Sequence, residues 1–184
     1  MITAGIVEPI EESKWVSPMV VQEKKTKGDI RIYVDLWNLI DACVHDPFPM
    51  SFTDEVLKNV GRQEAYSFTD GFSRYHQIKI APEDRRTIAF ATKWGSFQYK
   101  FMPFELKNAP TIFSRVVVTG FKEFIHKFFE VYFNDWTMFG MVKKHVSSLC
   151  LMLDTCRKYH ISLNFNKCIL CVPYGILLGH VFCK

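Results

Sequence analysis

The sequence predicts an α+β fold, in which an antiparallel sheet is backed by helices and a β-rich lobe lies towards the N-terminal end. Paired apolar runs that meet at short turns are typical of hairpins, and here they alternate with segments of helical periodicity. Nearly half of the 184 residues are apolar, including 17 Phe, which is enough for a packed core. No repeat, low-complexity segment or linker is visible, so we expect one domain or two small lobes that share a core.

The first half of the chain is predicted to be rich in hairpins, because β-branched and aromatic runs flank Gly-containing turns. Three strand-forming regions are expected there: 19–35 with a strongly basic turn at 24–29, 65–80 around Gly71, and 87–102 with a turn at 93–96. Between the first two, Ser51-Phe-Thr-Asp54 fits a capping box and predicts a short helix that continues to Val60.

The second half is predicted to contain two longer helices. One is expected from about Ala109 to Lys127, since Pro110 suits a first helical turn. The other is expected over 142–159, with a core stripe of residues at helical spacing: Val142, Val146, Leu149, Leu153 and Cys156. Apolar strands complete this half: 129–139 with a tight turn at Asn134-Asp135, and 162–183.

Overall charge and cysteine content set broad limits on function. The net charge of +4 is compatible with nucleic-acid binding, although such binding depends on where Lys and Arg lie rather than on their sum. Six scattered cysteines without a signal peptide predict an intracellular chain with reduced thiols. No run of about 18 apolar residues is present, so we expect no membrane-spanning segment.

Two acidic residues lie at the ends of apolar strands. Asp70 ends one such run, and Asp135 follows another. A carboxylate in this position is costly unless it is paired or bound to a cation. Carboxylates on neighbouring strands hold two Mg²⁺ in two-metal phosphoryl-transfer sites, and Asp supplies the hard oxygen that Mg²⁺ prefers. Taken singly, however, each aspartate could be an ordinary turn residue.

Motifs around these aspartates resemble those of reverse transcriptases. Tyr132-Phe-Asn-Asp135 resembles the Tyr-x-Asp-Asp box, and Phe68-Thr-Asp70…Tyr75-His-Gln-Ile78 resembles the leading-aspartate motif, written Leu-Asp-…-Gly-Tyr-His-Gln-Ile in gypsy-like elements. Five further segments match in the family's order: Trp15–Pro18, Arg31–Leu36, Met102–Pro110, Lys167-Cys168 and Leu178–His180. The chain therefore resembles the fingers-and-palm part of the reverse transcriptase in a gypsy-like LTR-retrotransposon Pol polyprotein.

This resemblance implies an RNA-directed DNA polymerase. It assigns the fingers to about 1–45 and 76–105, and the palm to about 46–75 and 106–184. The implied cofactors are two Mg²⁺, and the implied partners are an RNA or DNA template with its primer and deoxynucleoside triphosphates. The implied catalytic residues are Asp70, Asn134 and Asp135, with metal ligands from Asp70, the Gly71 carbonyl and Asp135.

The resemblance also implies residues that contact the substrates. Those implied for the incoming nucleotide are Lys24, Lys25, Arg31, Tyr75, Phe104 and Glu105, with Tyr75 packing under the sugar and rejecting a 2′-hydroxyl. Those implied for the primer and template are Tyr132, Leu178, Gly179 and His180.

Several residues depart from the family motifs. Asn134 replaces the first aspartate of the pair, and an amide brings no charge to a metal site. Glu105 replaces a glycine and adds bulk and negative charge where the triphosphate is expected. Trp37 stands where a second basic residue is usual, and Ile40 where an asparagine is. The thumb, connection and RNase H regions are also expected to be absent, so we expect a fragment, a truncated gene product or one piece of a longer polyprotein. We expect little or no polymerase activity.

Three other hypotheses compete with a polymerase. The chain could be a non-catalytic nucleic-acid-binding remnant or a decayed open reading frame. A zinc site could be formed by the pairs Cys168-x-x-Cys171 and His180-x-x-Cys183, but alternation along apolar strands would turn some of these side chains to opposite faces. The side chains of His145 and His160 are expected to be exposed.

Overall fold

The computed structural model describes residues 1–23, 30–49, 52–133 and 135–183, and for Arg31 it describes the backbone alone. The described residues form two compact units. The first unit comprises Met1–Asp46 and Tyr75–Ala109, and the second comprises Pro47–Arg74 and Pro110–Lys184. Both contain antiparallel strands accompanied by helices, which confirms the predicted α+β class.

The described elements are fifteen strands and helices. In chain order they are β1 Val7–Pro9, β2 Val16–Glu23, β3 Ile30–Val34, α1 Trp37–Ala42, α2 Thr53–Val60, β4 Ala65–Asp70, β5 Ala89–Thr92, β6 Gly95–Tyr99, α3 Ala109–Phe121, β7 Phe129–Tyr132, β8 Asp135–Gly140, α4 Val142–Lys158, β9 Ile169–Val172, β10 Tyr174–Leu177 and β11 His180–Cys183. Short 3₁₀ turns cover Arg74–Gln77, Arg85–Ile88 and Phe165–Lys167.

The first unit is built on a five-stranded sheet in the order β1-β6-β5-β2-β3. Its neighbours are antiparallel except for β2 and β5, which pair in parallel over three residues. The two hairpins predicted here, β2–β3 and β5–β6, are confirmed. The second closes at Gly95, whose φ of +126° is a conformation that glycine adopts readily.

The second unit is built on an antiparallel sheet in the order β7-β8-β4-β9, with β10 and β11 forming a separate hairpin. Side chains alternate between the faces of a strand. On the central strand β4, Tyr66, Phe68 and Asp70 therefore share one face, and Ser67 and Thr69 share the other. The predicted β7–β8 hairpin and the closing strands are confirmed, but Asp135, which was expected in the hairpin turn, is instead the first paired residue of β8.

Helices lie on both faces of this second sheet. Helix α3 places Phe113, Val117 and Phe121 at four-residue spacing, and all three are buried. The Phe113 ring stacks on Trp136 with centroids 6.0 Å apart, on the face that carries Ser67. On the opposite face, α2 and the β10–β11 hairpin pack with two residues of the sheet in one buried cluster: Val56, Val60, Tyr66, Phe139, Leu177 and Phe182.

The predicted core stripe of α4 is wrong at its N-terminal end. Val142 and Val146 are 60% and 61% exposed, whereas His145, Met152 and Cys156 are buried. The helix is therefore rotated relative to its apolar pattern. The expected exposure of His145 is also wrong, because the imidazole has a buried partner on β4, while His160 is exposed as expected.

Three element boundaries also differ from the prediction. Helix α3 ends at Phe121 instead of Lys127, and the chain then turns, with a left-handed φ of +64° at His126. The second strand expected near Gly71 is replaced by the 3₁₀ turn Arg74–Gln77. Helix α2 begins at Thr53 after Phe52, which makes no side-chain cap bond, and Ser51 of the expected capping box lies outside the described residues. None of the helices that the structure describes is long and apolar enough to cross a membrane.

Candidate active site

The two strand-end aspartates are brought together in the second unit. Asp70 is the last residue of β4, Asp135 is the first of β8, and the two are direct partners in the antiparallel register. Asp135 also pairs with Tyr132, so β7 and β8 are joined by a tight turn. Phe133 occupies this turn with φ +51°, and Asn134 lies outside the described residues.

Both carboxylate oxygens of Asp70 have cationic partners. The Arg74 guanidinium donates to Oδ1 from Nε at 3.0 Å and also from Nη2. The Lys167 ammonium lies 3.4 Å from Oδ2. The Asp70 side chain is only 14% exposed, so these partners stabilise a charge that is largely removed from water. The side chain of Asp135 is exposed and forms no ion pair with other described residues.

The backbone beyond Asp70 is held to the segment before β9. Gly71 and Leu163 form an isolated antiparallel bridge. Its flanking bonds run from Asn164 N–H to the Asp70 carbonyl and from Phe72 N–H to the Ser162 carbonyl, both at 2.8 Å. These bonds do not involve the Gly71 carbonyl, which is the predicted extra metal ligand.

The aspartate pair opens into a cleft of about 160 Å³. Asp70, Asp135 and Lys167 line one part, and the end of β10 with Leu178 forms the apolar wall. Leu178 and Gly179 connect β10 to β11 with φ of +51° and +79°, the two positive values that a type I′ turn needs. The His180 Nδ1 atom is 3.0 Å from the Leu178 carbonyl oxygen. Of the predicted primer residues, Leu178 therefore reaches the cleft.

Tyr132 is the other predicted primer and template residue. It ends β7, where it pairs with Asp135. Its phenolic oxygen is 3.3 Å from the Thr53 hydroxyl, and its ring contacts Phe133 with centroids 5.0 Å apart. Tyr132 thus lies beside the aspartate pair, with its hydroxyl anchored to the start of α2.

The predicted nucleotide-binding residues that the structure describes lie in the first unit. Tyr75 is buried, and its ring contacts exposed Phe104 with centroids 5.3 Å apart. His76 contacts the same ring at 4.9 Å, and burial lowers the His76 pKa below its usual value. Arg31 lies on β3 opposite Gln22. Lys24 and Lys25 lie outside the described residues.

Three departures from the family motifs meet in the first unit. Glu105, Trp37 and Ile40 all line one cleft of about 430 Å³, together with Asp35. Burial raises the pKa of Glu105, and the Glu105 charge adds to the burial that raises the Tyr99 pKa. The described lining residues of this cleft include two acids and no Lys or Arg, which disfavours a polyanion.

The described cysteines and histidine of the segment 168–183 are not arranged as the ligands of a metal site. Cys171, His180 and Cys183 are exposed, and the Cys168 thiol donates to the Asn164 carbonyl at 3.3 Å. Across the described ranges, no group of three or more His, Cys, Asp or Glu side chains is arranged to hold a metal ion. The aspartate pair supplies two such carboxylates.

Sequence reasoning missed two features of the second unit. Arg74 was not singled out, although it stands where the leading-aspartate motif has its glycine, and that replacement was a usable signal. Ser67 and His145 form a buried pair with Oγ and Nε2 2.8 Å apart. They lie 78 positions apart in the chain, so no local pattern points to their contact.

Comparisons with known proteins agree with this architecture. The family model "Reverse transcriptase (RNA-dependent DNA polymerase)" matches residues 22–182. The chain belongs to this family. The expected resemblance to gypsy-like elements is confirmed, since the chain is 30% identical to the retrovirus-related Pol polyproteins of the Drosophila melanogaster transposons 412 and gypsy, over 98% and 90% of its length. It spans 15% and 16% of those polyproteins.

Solved structures show the same fold. The foamy viral protease-reverse transcriptase in complex with RNA/DNA hybrid superposes with a TM-score of 0.86 at 18% identity, over 99% of this chain and 24% of the viral one. The same viral protein in complex with dsDNA superposes with a TM-score of 0.87 at 18% identity, over 99% of this chain and 38% of the viral one. Reverse transcriptases as a family use divalent metal ions, which agrees with a carboxylate pair at the ends of two neighbouring strands.

Proposed function

We propose that this chain forms the fingers and palm of an RNA-directed DNA polymerase, with the first unit as fingers and the second as palm. The direct pairing of Asp70 with Asp135 carries this proposal, because it places two carboxylates beside one cleft. The palm and fingers ranges expected from the motifs differ from the unit boundaries by only a few residues, which supports the assignment.

The donor set at this cleft fits divalent cations. Asp70 and Asp135 provide carboxylate oxygens, and the Gly71 carbonyl stands next to them along the backbone. Hard oxygen ligands of this kind suit Mg²⁺. When bound, two Mg²⁺ ions supply charge neutralisation at the transferred phosphoryl group and activation of the primer 3′-hydroxyl.

The remaining residues position the substrates. Leu178 lines the cleft from the β10–β11 turn, in a position to support the primer end. Gly179 follows it in that turn, and His180 begins β11. In the first unit, buried Tyr75 backs Phe104 and forms an aromatic surface for the sugar and base of the incoming deoxynucleotide. Solved relatives carry RNA/DNA hybrid or dsDNA, and we extend a primer–template partner to this chain.

We further propose that this activity is weak. Asn134 replaces one of three carboxylates, and losing one such stabilising group costs about 10²-fold or more in comparable sites. Glu105 adds a negative charge to a cleft that the family uses near the triphosphate. Both changes oppose the binding and stabilisation of a metal–triphosphate complex.

Primer extension on an RNA template with Mg²⁺, and then Mn²⁺, tests this proposal. The unmodified chain should incorporate little, Asn134→Asp should incorporate more, and Asn134→Asp/Glu105→Gly should exceed both. Full activity in the unmodified chain would refute the impairment. No incorporation by either restored variant, together with salt-dependent binding of primer–template, would favour the non-catalytic binding module. Absence of both activities would favour a decayed reading frame.

A further inference from the structure

We propose that Arg74, assisted by Lys167, is an internal counter-ion that compensates the Asp70 charge in place of a divalent cation. The inference rests on the proposed function, since it concerns the metal ligand of that site. It makes Arg74 a positioning residue that holds Asp70 in the absence of metal and weakens divalent-cation binding.

Both carboxylate oxygens of Asp70 contact a positively charged side chain. The Arg74 guanidinium donates twice to Oδ1, and the Lys167 ammonium lies 3.4 Å from Oδ2. Charge-assisted bonds of this kind are roughly twice as strong as neutral ones. With a side chain only 14% exposed, Asp70 would be costly to bury without these partners. A cation that takes either oxygen must therefore compete with a protein cation already there.

The position of Arg74 in the chain explains why this contact exists here. Arg74 follows Asp70 by four residues, and it stands where the gypsy-like motif has glycine, which has no side chain to offer. Its aliphatic stem passes over Gly71, where an added Cβ would lie 3.4 Å from Arg74 Cγ. The replacement thus introduces a guanidinium beside Asp70, the metal ligand of the leading-aspartate motif.

The charge of the site changes accordingly. Three aspartates with the motif lysine carry a formal net charge of −2. Here the two aspartates, Asp70 and Asp135, are balanced by Arg74 and Lys167, and Asn134 is neutral, so the formal net charge is zero. A divalent cation then approaches a neutral site instead of an anionic one. Both Asn134 and Arg74 make the net charge of the site less negative than in the family motif.

Binding of Mn²⁺ alone, followed by the EPR signal of the free ion, tests this proposal on the full chain. We expect Arg74→Ala and Arg74→Gly to bind Mn²⁺ at least about tenfold more tightly than the unmodified chain, because a positive charge within contact distance of the ligand is removed. Adding Asp70→Asn to Arg74→Ala should abolish the gain. Arg157→Ala is the matched control, since it breaks an ion pair to Asp154 that is exposed and distant in sequence from the site.

Thermal unfolding gives a second readout that does not depend on activity. The unmodified chain should show the same Tm in EDTA and in Mn²⁺. Arg74→Ala should have a lower Tm in EDTA that rises when Mn²⁺ is added, because the ion then replaces the lost counter-ion. Equal Mn²⁺ affinity in the unmodified chain and in Arg74→Ala, or a gain that survives Asp70→Asn, would overturn the proposal. Since no nucleotide or primer is present, these outcomes are independent of the primer-extension test.

Discussion

The hydroxyl of Ser67 lies 2.8 Å from Nε2 of His145, and both residues are buried. The same hydroxyl accepts a bond from the Cys171 backbone N–H at 2.9 Å, so this one oxygen links α4, β4 and β9. The other ring nitrogen of His145 is buried without a partner among the described residues. The imidazole is therefore held in a place that suits its neutral form better than its charged form.

A pH-dependent stability follows from this pair. Burial lowers the His145 pKa below the ordinary value of 6.5. As the pH falls through 6.5, His145 is protonated in the unfolded chain but stays neutral in the folded chain, so the free energy of unfolding decreases. The decrease ends once the pH is below the lowered folded-state pKa. We expect His145→Gln to flatten this dependence in urea titrations between pH 7 and 5.

The matched control is His160→Gln, because His160 is exposed on the loop after α4. It should leave the pH profile unchanged. The His76 pKa is also lowered by burial, so a smaller dependence should persist in His145→Gln. A profile in His145→Gln as steep as that of the unmodified chain would show that the Ser67–His145 pair does not govern the acid response.

The closeness of the β10–β11 hairpin to β4 depends on a glycine. A Cβ added at Gly175 would overlap the ring of Phe68, two residues before Asp70. The ring must then move, and forced overpacking of this kind costs about 1–3 kcal/mol. We expect Gly175→Ala to lower the free energy of unfolding by that amount in urea. Gly61→Ala is the control, since its Cβ would meet its nearest neighbour at an ordinary 3.4 Å; equal costs for the two would contradict the packing account.

A buried carboxylate anchors α2 to β7. Glu130 has a side chain only 1% exposed, and its Oε1 accepts a bond from Asn59 Nδ2 at 2.9 Å and lies 2.8 Å from His126 Nδ1. Removing one partner of a buried charge costs about 1–3 kcal/mol. Asn59→Ala should therefore destabilise the chain in urea by about that amount, whereas Lys58→Ala on the exposed side of α2 should stay within about 0.5 kcal/mol. If Asn59→Ala were as stable as the unmodified chain, the hydrogen bond between Asn59 and Glu130 would make no contribution to the free energy of unfolding.

The first unit carries a charge that the fold disfavours. Burial raises the Glu105 pKa above its ordinary 4.5, so stability is lost as the pH rises from 4.5 through the raised folded-state value. We expect Glu105→Gln to be more stable than the unmodified chain at pH 7 and equally stable below about pH 4.5. Exposed Glu83→Gln, in the same unit, should show no such difference. A Glu105→Gln variant that is less stable at pH 7 would show that the carboxylate has a favourable partner.

Local signals were sufficient for the hairpins. Gly95 takes a positive φ at the end of the β5–β6 turn, and β-forming residues such as Phe90 and Tyr99 lie in the strands on either side, so both signals are visible in a short window. The pairing of Asp70 with Asp135 was accessible only through the family motifs, because register between strands 65 positions apart is set by tertiary packing.

Tertiary contacts explain the misplaced helix face. Val142 and Val146 made the α4 stripe look apolar, yet the buried face carries His145, because a hydroxyl on β4 satisfies its ring. Hydrophobic periodicity does not identify a polar residue as part of the core unless its hydrogen-bond partner is known. The Arg74 contact with Asp70 was missed although it spans only four residues. The replacement of the motif glycine by Arg74 was a local signal from which the contact could have been predicted.

Single-nucleotide incorporation on a primed RNA template tests the central claim most directly, namely that Asp70 and Asp135 form a polymerase metal site weakened by Asn134. The comparison is between Asn134→Asp and Asn134→Asp/Asp70→Asn, at equal protein and Mg²⁺ concentrations. The account predicts addition of the complementary deoxynucleotide by the first variant and none by the second. Equal incorporation by both would contradict it, because the polymerase signal would then not depend on the Asp70 carboxylate.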